Sequence, residues 1–109
     1  MKTSELTGAA LDWAVAKCEG NTFAGKYPHL LASGIRPPMY STNWAQGGPI
    51  IEREKICVVA TPSAHWDART TEYPPRYHAG STPLIAAMRC YVASKLGDEV
   101  EIPKELTND

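Results

Sequence analysis

The chain has 109 residues, of which 43% are hydrophobic and 21% are charged. This composition suits a globular protein with one hydrophobic core, so we expect a single domain over residues 1–109. Charged residues recur through the first twenty positions, which excludes an apolar signal peptide or membrane span there, and we expect a cytoplasmic protein. Cys18, Cys57 and Cys90 lie far apart in sequence, so we expect free thiols, no metal and no cofactor.

The formal net charge of −1 is unevenly distributed along the chain. Residues 1–97 hold ten Lys or Arg against seven Asp or Glu, whereas residues 98–109 hold five acids against one lysine. Affinity for duplex DNA comes largely from phosphates neutralised by clustered Lys and Arg. Because the basic residues here are scattered and the chain ends in an acidic segment, we expect no useful affinity for duplex DNA. The last residues of that segment are expected to be disordered.

The first predicted element is a helix within residues 7–20. Thr7 suits its N-cap, and Leu11 and Val15 recur at helical spacing. Trp13 lies roughly 200° around the helix from this apolar stripe, at 100° per residue. Either a second layer of the chain or a second subunit must cover it, so a homodimer is one hypothesis.

The segment 81–97 is the clearest predicted helix. Ser81 or Thr82 suits its N-cap, Pro83 suits its first turn and Gly97 suits its end. Its apolar stripe consists of Leu84, Met88, Tyr91, Val92 and Leu96. We predict that this stripe packs against the first helix or a sheet.

Prolines divide the region between the two helices into short pieces. Residues 56–60 and 64–69 predict a hairpin, whose second strand alternates between apolar and polar residues. The alternation puts Ala64, Trp66 and Ala68 on one face and His65, Asp67 and Arg69 on the other. Residues 2–6 and the segment containing Val100 and Ile102 predict further strands. The fold class is therefore α+β: a single domain with a small antiparallel sheet, two main helices on one side of it and a loop-rich middle.

The stretch NWAQGGPIIERE, residues 43–54, has two interpretations. In the first, Gly48 is an N-cap and Pro49 is the first residue of a short helix. In the second, the glycines let the backbone approach a bound anion, with Tyr40 and Trp44 as walls. We favour the helix, because the stretch has no phosphate-loop lysine.

A second candidate lies at RYHAGSTP, residues 76–83. Here the free N–H groups of a helix start, together with Arg76 and His78, suit a carboxylate or phosphate, although simple capping by hydroxyls explains the same residues. His65 and Asp67 share a strand face, but without a nucleophile motif we predict no catalytic residue. The candidate ligand-binding residues are Tyr40, Trp44, His65, Arg76 and His78.

Four stretches carry a resemblance to a known family: MKTSELTGAALDWAVAKCEG, STNWAQGGPIIERE, Trp66-Asp67-Ala68 and STPLIAAMRCYVASKLGDEVEIP. They resemble the NinX-like family of phage and prophage proteins, from Met1 to Pro103. The resemblance implies a small protein of the host cell cytoplasm, encoded in an accessory region of a phage or prophage. It supplies no catalytic residue and no cofactor.

Two functions follow as expectations. The first is a non-enzymatic phage accessory protein that acts by binding a phage or host protein, without membrane contact. The alternative is a small-ligand or anion-binding protein, or even an enzyme, with a site near the five candidate residues. Convergence of those side chains on one cleft would favour the alternative, and dispersal would favour partner binding.

Overall fold

The computed structural model describes residues 1–20, 38–72 and 74–106. Its helices are α1 (Gly8–Cys18), α2 (Trp44–Glu54) and α3 (Pro83–Leu96); its strands are β1 (Cys57–Ala60), β2 (Trp66–Arg69) and β3 (Tyr77–Gly80). Two 3₁₀ turns, Thr3–Glu5 and Lys104–Leu106, flank them. The predicted α+β class with a small antiparallel sheet is confirmed, with α2 as a third helix. Residues 21–37 of the loop-rich middle and the end of the acidic segment, residues 107–109, lie outside the described residues.

The sheet is antiparallel in the order β1-β2-β3. Val58 pairs with Ala68, which pairs with His78, so these three residues point to the same face. The predicted hairpin of β1 and β2 is confirmed. The third strand of the sheet is β3, which is not among the strands predicted from the sequence.

The two terminal segments do not form the strands predicted for residues 2–6 and 100–102. They pair through a single bridge between Lys2 and Glu99, flanked by a hydrogen bond of 2.9 Å from the Thr3 N–H to the Asp98 carbonyl. The chain then coils into the 3₁₀ turn at Thr3, which prevents a longer ladder. Val100 is nevertheless buried, as the pattern predicted.

The core lies between α3 and the inner face of the sheet, and α1 and α2 pack against α3. Met88 and Val92 are fully buried, which confirms the predicted role of the apolar stripe. Close contact between β3 and α3 depends on Gly80. A Cβ atom at that position would lie 2.5 Å from the backbone nitrogen of Ala86.

Helix α1 is buried on every side between Ala10 and Ala16. Asp12 is only 7% exposed, and its Oδ1 accepts a hydrogen bond of 2.8 Å from the Ser41 N–H. Burial raises the pKa of Asp12, against the opposing effect of the hydrogen bonds from Ser41. Trp13 is also 7% exposed, so its own chain covers it. Trp13 therefore gives no reason to expect a second subunit.

Arg89 of α3 is half-buried. Its Nε donates to the Leu6 carbonyl and its Nη1 to the Ala79 carbonyl, both at 2.8 Å. This side chain therefore ties α3 to the N-terminal segment and to the edge strand β3.

Candidate functional site

Helix α2 begins at Trp44, five residues before the predicted first residue, Pro49. Asn43 is the N-cap, and its Oδ1 accepts a hydrogen bond of 2.8 Å from the Ala45 N–H. Gln46 accepts a further bond of 2.7 Å from the Met39 N–H, which fixes the preceding turn. The predicted N-cap at Gly48 is wrong because these side chains start the helix earlier, and Pro49 lies inside it.

Gly47 allows α2 to pack closely against the turn before it. A Cβ atom at this position would lie 2.3 Å from the Tyr40 carbonyl oxygen and 2.7 Å from Cδ2 of Leu84. Tyr40 itself is partly buried and packs against the core. Packing therefore accounts for Gly47 without a bound anion.

Trp44 projects from the start of α2 and is 56% exposed. It borders a hollow of about 200 Å³ between the starts of α2 and α3, which is lined by Ser41, Thr42, Trp44, Thr82, Leu84 and Ile85. Met39, in the turn before α2, is 44% exposed. We call Met39, Trp44 and this hollow the Trp44 surface. An exposed tryptophan beside an apolar hollow is typical of a protein-binding surface.

Arg76 and His78 line a separate cleft of about 450 Å³ between β3 and the end of α3. Its other lining residues are Glu72, Pro74, Pro75, Tyr77, Ser94 and Asp98. Arg76 Nη1 donates to Asp98 Oδ1 at 3.3 Å. Burial lowers the pKa of His78, while the charge of Asp98 acts in the opposite direction.

The five candidate residues do not converge on one cleft. His65 lies in the turn between β1 and β2, where its Nδ1 is 3.0 Å from the Ser63 carbonyl oxygen. This turn is at the Gly80 end of β3, whereas Arg76 precedes the opposite end. The same strand separates Arg76 from the start of α3, so the anion site considered for residues 76–83 is not assembled.

The half-buried position of His78 makes the stability of the fold depend on pH. As pH falls through about 6.5, the unfolded chain binds the proton first, because the pKa of folded His78 is lower. The contribution of His78 is therefore fully present above that pH and is lost as pH falls towards the folded pKa. We expect the wild type to lose more stability than His78→Gln between about pH 7.5 and about pH 5, measured by urea unfolding. His65→Gln makes the same substitution at an exposed histidine and is the matched variant. Equal pH dependence in wild type and His78→Gln would contradict the assignment.

A polar cluster joins the three helices on another side of the molecule. Arg53 donates to both carboxylate oxygens of Glu19, at 3.0 Å and 2.6 Å, and to the Tyr91 hydroxyl at 3.1 Å. Tyr91 donates in turn to Glu19. The hydrogen bonds from Arg53 lower the pKa of Glu19, and burial raises the pKa of Tyr91. Because these groups bind one another, the cluster has a structural role in joining the helices.

Metal coordination and membrane insertion each require a particular arrangement of residues. Among residues 1–20, 38–72 and 74–106, no group of three or more His, Cys, Asp or Glu side chains is placed to hold a metal ion. None of the helices in this part of the chain has the length and apolar character that crossing a membrane requires.

Comparison with known families supplies the identification. Residues 2–95 match the family model described as Bacteriophage P22, NinX. The chain belongs to this family. The match includes all three strands, α1, α2 and nearly all of α3, and it confirms the resemblance found in the sequence. No curated protein matches the chain. Membership of the NinX family makes this a phage protein, and the choice between partner binding and ligand binding depends on the surfaces described above.

Proposed function

We propose that this NinX family member is a non-enzymatic phage accessory protein that acts by binding another protein of the phage or its host. The proposal rests on the exposure of the Trp44 surface. Trp44 is 56% exposed and is held at a fixed position, as the first residue of a helix capped by Asn43. A rigid aromatic side chain loses little conformational entropy on binding, which favours it as an anchor for a partner.

The hollow beside Trp44 extends the proposed contact. Leu84 and Ile85 form part of its wall, and Thr82 stands at its rim as the N-cap of α3. An apolar side chain from the partner would fill this space against the indole ring. The Thr82 hydroxyl already accepts a hydrogen bond of 3.1 Å from the Ile85 N–H, so the wall is ordered before a partner binds.

The second candidate function is small-ligand binding in the cleft that Arg76 and His78 line, and its volume of about 450 Å³ favours it. The acidic residues of this cleft disfavour the binding of a simple anion. Arg76 is paired with Asp98, and Glu72 adds a second acid to the lining. We therefore place protein binding first.

Affinity capture from infected cells tests the proposal with matched variants. We expect Trp44→Ala to lower the affinity for the captured protein at least about 30-fold, which is the loss typical of an interface anchor. Arg76→Ala is the control, because it alters the other candidate surface, and it should retain the protein. Circular dichroism of each variant checks that it is folded. If Arg76→Ala loses the protein and Trp44→Ala keeps it, the proposed surface is wrong.

A further inference from the structure

The sheet has an outer face opposite α3, formed by Cys57, Val59, Asp67, Arg69, Tyr77 and Ala79. Val59 is 52% exposed and Tyr77 is 62% exposed, so this face presents two large hydrophobic side chains to solvent. They border a shallow hollow of about 310 Å³. Tyr77 also lies beside Arg69. Side-chain hydrogen bonding with Tyr77, and to a smaller extent with Cys57, raises the pKa of Arg69.

The strand register divides the outer face into two rows. Val59, Asp67 and Ala79 are directly paired across the three strands and form the first row. Cys57, Arg69 and Tyr77 are paired in the same way and form the second. Each row has one residue from each strand. The two rows differ in side-chain size at β1 and β3 and in the sign of the charge at β2.

The two rows complement each other. A two-fold axis that lies between two stacked sheets, perpendicular to β2 at Ala68, places the first row of one copy over the second row of the other. Asp67 then faces Arg69 of the second copy, and the small Ala79 faces the large Tyr77. Val59 faces Cys57, so an apolar pair completes the contact. The two-fold symmetry repeats each of these pairs.

We propose that two copies of this chain associate through their outer faces as a symmetric dimer. The charge complementarity of Asp67 and Arg69 fixes the antiparallel alignment of the two β2 strands, because the parallel alignment would oppose like charges. Stacked sheets pack roughly 10 Å apart, a spacing that side chains of this size fill. The proposal involves a different surface from Trp44 and does not depend on the proposed function.

The size of the face sets the expected strength of the dimer. Three strands of four residues cover roughly 14 Å by 13 Å. An interface of this size falls below the range of about 1,200–2,000 Å² that stable complexes bury. We therefore expect a weak dimer, with a dissociation constant of about 10⁻⁴ M, and a monomer at low concentration.

Sedimentation of the full chain over a range of concentrations tests the proposal through charge reversal. Asp67→Arg places a second guanidinium against Arg69 of the second copy, and Arg69→Asp places two acids together. We expect each variant alone to dimerise at least about tenfold more weakly than the wild type. An equal mixture of the two variants restores opposite charges across the interface, so we expect it to form a heterodimer. Glu52→Arg makes the same charge change on α2 and should leave dimerisation unchanged.

Three results would overturn the proposal: a wild type that stays monomeric up to millimolar concentration, single variants that dimerise as the wild type does, or a mixture that fails to associate. Tyr77→Ala provides a second, uncharged variant, which should also weaken the dimer. Circular dichroism confirms that each variant is folded. Trp44→Ala should dimerise normally, so failure of the dimer and failure of the proposed function are distinguished.

Discussion

Met88→Asp should unfold the protein at room temperature. Met88 is fully buried at the centre of α3, between the sheet and the other helices. A carboxylate there loses its hydration and creates an unpaired charge in the core. We expect the free energy of unfolding to fall by more than about 4 kcal/mol, a large part of the stability of a domain of this size. Circular dichroism would then show loss of the cooperative thermal transition.

Met88→Leu is the matched control for this substitution. It keeps an apolar side chain of similar volume at the same position, so we expect a change within about 1.5 kcal/mol. A cooperative transition in Met88→Asp at the wild-type temperature would show that α3 is not the centre of the core.

Gly47→Ala should also lower the free energy of unfolding strongly. The added methyl group would lie 2.3 Å from the Tyr40 carbonyl oxygen, and backbone cannot move away as a flexible side chain does. The Leu84 side chain, 2.7 Å away, closes the same space. Either α2 shifts or the preceding turn does, and we expect a loss of at least about 2 kcal/mol in urea unfolding.

Gly48→Ala, at the next residue, is the control and should increase the free energy of unfolding. Its Cβ would lie 3.7 Å from Cε3 of Trp44, which is an ordinary contact. Alanine is a better helix former than glycine, so we expect a gain of about 0.5–1 kcal/mol. Destabilisation by Gly48→Ala would instead support the helix start at Gly48 that the sequence suggested.

The two terminal helices were predictable because their signals are local. Thr82 caps α3, Pro83 occupies its first turn and Gly97 ends it with a φ of 89°. The start of α2 was missed because the Gly48-Pro49 pair imitates a helix start. An Asn followed three residues later by Gln also marks an N-terminus, and Asn43 and Gln46 form that pattern.

Strand β3 could not be predicted from Tyr-His-Ala-Gly, which has little periodicity of its own. Its extended form comes from pairing with β2 and from the contact of Gly80 with α3, both of which depend on distant residues. The candidate site was only partly predictable, because tertiary packing decides which aromatic side chains remain exposed. Trp13 and Trp44 both lie in helices, but tertiary packing buries the first and leaves the second 56% exposed. Sequence alone could not separate a core tryptophan from a surface one.

Site-specific photo-crosslinking in infected cells would show whether the Trp44 surface contacts a partner protein, since it reports contact at a chosen residue. A photoreactive phenylalanine analogue replaces Met39, which is 44% exposed in the turn before α2. Glu52, exposed further along α2, is the control position. We expect a covalent adduct with a different protein from position 39 and none from position 52. No adduct from position 39, or the same adducts from both positions, would contradict the claim that the Trp44 surface binds a partner.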